Sequence, residues 1–426
     1  MNNRRFIRSV TAALLLLLSF LSVVHPPLAR GDNLLEYEPG QLVAKVNTLL
    51  GDIQTLNTTY GTTTIDSLMG RDDIFLLAVP TGSDPAQLAA TMSLDPLVEY
   101  AEPNYTQYSP EAHTDRSYAW GGSDTGPLAQ QSTDMQLDDS HAIGRGTGTI
   151  VAVLDTGVQL DHPLLVDRLT LVQYDFVEND TVPADEPDGV DDDGDGVVDE
   201  SVGHGTHVAG IAHQVAPEAS IMPLRILNSD GRGNSFWTAE AILFAASNGA
   251  DVVNLSLGSS QPSALLKDMV EEVAASGVVV VAAAGNMGAD VKQYPAAEAC
   301  AIAVASIDRQ NHKSSFSNYG DWIDIATLGE SIYSAVPINS YAWWSGTSMA
   351  TPIIAGQAAL LRGVDRGMTL DEIGLLLGGT ALPIDSGDPT YRELLGAGRA
   401  DIYSSLTALV NGTSPESDAN LFGGCN

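Results

Sequence analysis

The chain reads as an α/β protein, a largely parallel sheet with helices on both faces, preceded by a small α+β module. Three observations predict this. Strand-like and helix-like stretches alternate from about residue 118 to 408, the rhythm of βαβ units. The strand-like runs, Thr149-Ile-Val-Ala-Val-Leu154 and Val278-Val-Val-Val-Ala-Ala-Ala284 among them, are continuously apolar or β-branched, as strands buried on both faces are. Residues 33–110 instead hold a few short strands and one helix and end in a polar stretch.

The elements follow in order. In the small module, 41–46, 74–79 and 96–101 read as strands and 84–93 as a helix, with a polar linker over 105–117. In the main body, the strand at 149–154 ends at Asp155, and a helix follows Gly203. A strand covers 221–227, a helix 238–248, a strand 251–257 and a helix 265–276, before the strand from Val278. An Ala-rich helix spans 349–362, with Pro352 expected in or near its first turn, where backbone donors lack partners anyway. Residues 409–426 read as a short polar, Gly-rich tail, too small to fold alone.

Bulk properties narrow the function classes. The 426 residues carry a formal charge of −35, and the only lysines are Lys45, Lys267, Lys292 and Lys313. Such a surface opposes nucleic acid and anionic membranes and suits a saline medium, calcium or cationic substrates. Arg4, Arg5 and Arg8 precede the apolar run Thr11–Val24, so 1–30 reads as a secretory signal peptide, although no Ala-x-Ala site follows. The alternative, an uncleaved anchor, suffers from a run short for a span. A secreted, monomeric protein without stable membrane insertion is expected. Cys300 and Cys425 are the only cysteines; a disulfide between them is open, and two cysteines do not hold such a fold together.

Three blocks carry the chemistry: Val-Leu-Asp155-Thr-Gly, Gly-His204-Gly-Thr-His-Val-Ala-Gly and Gly-Thr-Ser348-Met-Ala-Thr-Pro. They supply an acid, an imidazole and a hydroxyl, the groups that turn a serine into a nucleophile. Asp155 sits at the carboxyl end of a buried strand, where open α/β sheets bind ligands. Ser348 opens a helix, whose N-terminal field favours a developing oxyanion. Asn286, at the end of the Val278 strand, is placed to donate to that oxyanion with the Ser348 backbone N–H. A zinc pair of His204 and His207 lacks the His-Glu-x-x-His pattern. The Gly144-x-Gly146-x-Gly148 run precedes a strand, where a dinucleotide fingerprint follows one.

These blocks, in the order Asp, His, Ser, resemble the secreted subtilisin-like serine proteases, and the resemblance runs from about 36 to 405. It includes Val253-Asn-Leu-Ser-Leu-Gly258, Phe316-Ser-Asn-Tyr-Gly320 and Gly396-Ala-Gly-Arg-Ala-Asp401. It implies that Asp155 orients His204, that His204 is general base then acid, that Ser348 attacks, and that Asn286 helps form the oxyanion hole. It further implies that Ser256, Leu257 and Gly258 line the specificity pocket. Val98-Glu-Tyr-Ala-Glu-Pro-Asn104 resembles the end of the family's inhibitory propeptide, implying a zymogen that processes itself within 105–117 and is inhibited by its own propeptide. Trp343, Trp344, Met287 and Thr327-Leu-Gly329 depart from the family pattern around the cleft.

Between Asp155 and His204 lies an acidic insert. Asp191, Asp193, Asp195 and Gly196 fall at positions one, three, five and six of an EF-hand-like calcium loop, where Val197 would offer its carbonyl. Position twelve is Val202, which leaves Asp199 or Glu200 to close the site. Structural Ca²⁺ is expected; a solvated acidic loop is the alternative. The expected activity is peptide-bond hydrolysis on protein or peptide substrates. Two rivals are a dedicated processing protease and a noncatalytic, calcium-dependent binding protein on the same scaffold.

Overall fold

The structure, a computed structural model, describes residues 36–111, 118–384, 389–391, 393–413, 415, 419–422 and 424–425. The signal peptide read at 1–30 and positions 112–117 of the expected linker lie outside the described residues. Among the described residues, no helix is long and apolar enough to cross a membrane.

The central sheet has seven strands in the spatial order Ile325–Leu328, Ala301–Ile307, Val279–Ala283, Val252–Leu255, Ile150–Asp155, Ser220–Arg225 and Tyr174–Asp175. Every neighbouring pair is parallel. The all-apolar runs have their cause here, because alternate side chains feed two cores. Val253, Leu255, Val280 and Ala282 point to one, with helices Ser235–Ser247 and Ala264–Ala275. Val252, Val279 and Val281 point to the other, with helices His204–Val215 and Thr347–Val364.

Element boundaries move where side chains cap. The helix expected from Thr238 starts at Ser235, because the Asn234 side chain accepts from Trp237 N and satisfies an orphan donor. Pro352 lies beyond the first turn, as the sixth residue of helix Thr347–Val364, which corrects its expected place. Its missing N–H would have met the Ser348 carbonyl, which instead accepts from Ser256 Oγ at 3.0 Å.

The amino-terminal module is an antiparallel sheet, ordered Thr63–Ser67, Ile74–Ala78, Tyr37–Val46 and Val98–Tyr108, with helices Ile53–Tyr60 and Pro85–Met92. The first helix was not anticipated, although Asp52 caps its start and left-handed Gly61 ends it. The last strand continues seven residues past Ala101. Its extension pairs Thr106, Gln107 and Tyr108 with Asn234, Gly233 and Arg232 of the main body, so part of the expected linker is a strand.

The tail is tied down. Cys300 and Cys425 form a disulfide, and Leu421 and Phe422 are buried. Gly374 lets this segment approach helix Leu370–Gly379, since a Cβ there would meet Phe422 at 2.9 Å. The bond closes a sequence separation of 125 residues. Chain-entropy reasoning gives such a loop roughly 4–5 kcal/mol. Cys425→Ser is therefore expected to lower the melting temperature by about 5–15 °C, and reductant to lower it for the native chain but not for the variant, as scanning calorimetry would record.

Candidate active site

The site assembles where two strand ends meet two helix starts. Asp155 ends its strand, fully buried, and its Oδ1 accepts from Thr156 N at 2.8 Å and lies 2.7 Å from His204 Nδ1. His204 is the first residue of its helix. A Cβ at Gly205 would lie 2.1 Å from the Gly157 carbonyl, so only glycine allows this helix start to touch the Asp155 loop.

Asp185, which the sequence did not single out, fastens the two segments. Its carboxylate accepts from Gly203 N at 2.9 Å, Thr206 N at 3.1 Å, Thr206 Oγ1 at 2.5 Å and Thr156 Oγ1 at 3.2 Å. Thr156 Oγ1 in turn accepts from Gly205 N at 2.9 Å. Burial pushes the Asp185 carboxyl up to about 6, against the pull of these donors. An N-cap carboxylate between Asp155 and His204 leaves no local sequence signal, because its partners lie 18–29 residues away.

Ser348 is the second residue of helix Thr347–Val364. Asn286 is oriented by Thr347, whose backbone N and Oγ1 both donate to Asn286 Oδ1, at 3.0 and 2.9 Å. With its oxygen held, the Asn286 amide nitrogen must face the cleft. Gly285, at φ 95°, makes the turn that brings it there.

All three polar groups converge on one further side chain, Glu111 of the amino-terminal segment. Ser348 Oγ donates to Glu111 Oε2 at 2.6 Å, His204 Nε2 lies 3.0 Å from the same oxygen, and Asn286 Nδ2 donates to Oε1 at 2.8 Å. Burial would lower the His204 pKa, but Asp155, by charge and hydrogen bond, and then Glu111 outweigh it and raise it to about 10. Burial would likewise raise the Glu111 carboxyl; His204, Ser348 and Asn286 hold it below the usual carboxylate range. The imidazole thus stands between two acidic side chains, Asp155 at Nδ1 and Glu111 at Nε2. Trp344 packs its ring edge-to-face on His204 at 5.6 Å between centroids.

The segment before Glu111 lies in the cleft as an extended strand. Tyr108 and Gly258 exchange backbone hydrogen bonds of 3.1 and 3.0 Å, and Ser109 N donates to Gly231 O at 2.9 Å. Of the expected pocket residues, Gly258 offers its backbone, Ser256 supports Ser348, and Leu257 is buried in the core. Ser109 Oγ lies 3.3 Å from Ser201 Oγ, at the end of the acidic insert. The module also caps the main body's helices: Glu102 accepts from Ser263 Oγ, Ala264 N and Leu265 N, and Asn104 Oδ1 from Ser235 Oγ and Phe236 N. Lys45–Asp268 and Arg232–Glu38 ion pairs, at 2.8 and 2.7 Å, flank these caps.

In the acidic insert, oxygens of Asp191, Asp193 and Asp195 lie within 4.8 Å of one another. Asp191 accepts from Gly194 N and Gly196 N, Asp193 from Asp195 N, and Asp195 from Val197 N. Asp199 turns instead to the amides of Asp188 and Gly189, and Glu200 lines an apolar recess with Trp120, Val202, Ile338 and Trp344. Among the described residues, Asp193 Oδ2 and Asp230 Oδ1 are buried without a hydrogen-bond donor. Burial and then the charges of Asp195, Asp230 and Asp191 push the Asp193 carboxyl up, although the Asp195 amide opposes them. Such orphaned, mutually repelling oxygens fit a hard cation. His207 gives its Nε2 to the Ala342 carbonyl at 3.1 Å, and burial lowers its pKa to about 3, so it is a neutral core histidine.

Comparison with known proteins gives the family and the fold. Residues 146–398 match the model of the subtilase family, and residues 26–104 match that of the fervidolysin N-terminal prodomain. The chain is 38% identical to a thermophilic serine proteinase of Bacillus sp. (strain AK1) over 326 residues, 74% of each protein. It is 41% identical to thermitase of Thermoactinomyces vulgaris over 64% of this chain and 93% of thermitase. The crystal structure of fervidolysin from Fervidobacterium pennivorans superposes with a TM-score of 0.69 at 23% identity, over 87% of this chain and 61% of that one, a likeness of fold. By the span of the family match and these identities, the chain belongs to the subtilase family, as a serine endopeptidase carrying an N-terminal prodomain.

Proposed function

We propose that the chain is a secreted, self-processing endopeptidase in which Asp155, His204 and Ser348 form the catalytic triad. One observation carries this reading: Ser348, His204 and Asn286 converge on a single carboxylate, at the end of a segment paired through its backbone as a substrate strand would be.

The residues then act as follows. Ser348 Oγ attacks the substrate carbonyl and His204 Nε2 takes its proton. Asp155 holds the Nδ1–H and favours the imidazolium. The carbonyl oxygen becomes an oxyanion facing Asn286 Nδ2 and the Ser348 backbone N–H, at a helix N-terminus. Collapse expels the amine, protonated by His204, and leaves an acyl-enzyme. Water enters with His204 as base, and the acid departs. Gly258 on one side and Gly231 and Gly233 on the other receive the substrate as an added strand.

The prodomain reads as the intramolecular inhibitor, seated by the Glu102 and Asn104 caps and by its terminal strand. Secretion follows from the charged and apolar pattern of 1–30, and autoprocessing from the proximity of the cleft segment to Ser348. Asp191, Asp193 and Asp195, with the Val197 carbonyl and Glu200 as further donors, would hold Ca²⁺, which neutralises the loop beside Ser201. Asp199 would support this loop through the Asp188 and Gly189 amides rather than as a ligand.

Three outcomes test this reading. Ser348→Ala is expected to abolish casein hydrolysis and fluorophosphonate labelling; wild-type-like turnover would sink the triad. Asn286→Ala is expected to lower kcat by about 10²–10³ with KM little changed, the loss known for subtilisin itself, a family member. Millimolar Ca²⁺ is expected to raise the melting temperature and EDTA to lower it, and Asp193→Asn to blunt both. No calcium response in the native chain would remove the metal from the account.

A further inference from the structure

We propose that Glu111 is an acidic latch, an intramolecular carboxylate ligand that occupies the oxyanion position and holds the uncleaved chain inactive. The inference rests on the reading of Ser348 as nucleophile and deepens it, by naming the group that keeps the nucleophile unavailable.

The geometry differs from that of a substrate awaiting attack. A substrate brings a neutral carbonyl carbon to Ser348 Oγ. Here a side-chain carboxylate comes, and its two oxygens divide the site. Oε2 takes the Ser348 hydroxyl proton at 2.6 Å and faces His204 Nε2 at 3.0 Å, while Oε1 takes the Asn286 amide at 2.8 Å. No carbonyl oxygen can stand where Oε1 stands. A carboxylate is also a poor electrophile, so its occupancy is not followed by acyl transfer.

The surroundings suit an anion. Ser348 lies at a helix N-terminus, and His204 Nδ1 is paired with Asp155, which favours the protonated ring. The carboxylate is buried, and it lies over Gly346, where an added Cβ would collide with Oε1. Ser348 Oγ and Asn286 Nδ2 donate to it and His204 Nε2 faces it, and charged hydrogen bonds of this kind are stronger than neutral ones.

Glu111 is also held in register from behind. Tyr108 is bonded both ways to Gly258 and Ser109 to Gly231, three and two residues before Glu111. Withdrawal of the Glu111 side chain frees the site while Glu102 and Asn104 still seat the prodomain on the main body's helices. Occupancy by Glu111 and seating of the prodomain are separable.

The test uses the full chain and a fluorophosphonate probe, with label read in the uncleaved and processed bands of one gel. Glu111→Gln preserves shape and removes the charge; Glu111→Ala removes the group. Both uncleaved variants are expected to label faster than the uncleaved native chain, by about tenfold or more, the shift that losing one charged hydrogen bond produces. Ser348→Ala is the blank. Native-like labelling of the uncleaved Glu111→Gln chain overturns the latch. So does an uncleaved native chain that labels as fast as its processed form, or a native chain with no uncleaved band. Absence of label from every band of every variant instead refutes Ser348 as nucleophile, a separable result.

Discussion

The buried hydrogen bond between Asp155 and His204, 2.7 Å long, is the contact on which the rest of the site depends. It joins a strand end to a helix start across 49 residues of chain. Its length is set by things neither residue controls: the missing side chain at Gly205, and the clasp of Asp185 on Thr156, Gly203 and Thr206. Remove the close approach and the imidazole loses its hydrogen-bond partner Asp155. A parallel sheet supplies this arrangement cheaply, because its strands all end on the same edge and its crossover helices all begin there.

The same edge explains how the amino-terminal module is held. Helix N-termini present unpaired backbone donors. Two of them, at Ala264–Ala275 and Ser235–Ser247, take Glu102 and Asn104 of the module as caps, and beside a third the Ser348 hydroxyl donates to Glu111. The module therefore docks with side chains that complete the main body's own unsatisfied groups. Its last strand adds to the edge Arg232–Asn234 in the manner expected of a substrate.

Much of this was legible in the residues. Runs such as Ile150–Asp155 and Val279–Ala283 announce strands buried on both faces, and three short blocks supply the carboxyl, the imidazole and the hydroxyl that meet in the cleft. Asx-rich spacing marked Asp191, Asp193 and Asp195 as a group, and they do lie together. Other features were hidden because their partners are distant in sequence. Asp185 looks like one more loop aspartate until Thr156 and Thr206 close on it. Residues 105–108 look like linker until Arg232–Asn234 pairs with them. Asp199 gives no local sign that it accepts from the Asp188 and Gly189 amides, eleven and ten residues back. Cys425 looks like tail until Phe422 and Gly374 bring it to Cys300.

The sequence alone determined the periodicity of each element and the order of the chemical groups, because both are properties of neighbouring residues. The tertiary structure alone decided which groups meet. Glu111 and Ser348 are 237 residues apart, and no local pattern couples them; only the packing of a capped prodomain against a strand edge brings that carboxylate to the hydroxyl. Distance along the chain is what local physics does not see, and desolvation in a shared cleft is what makes such a meeting strong.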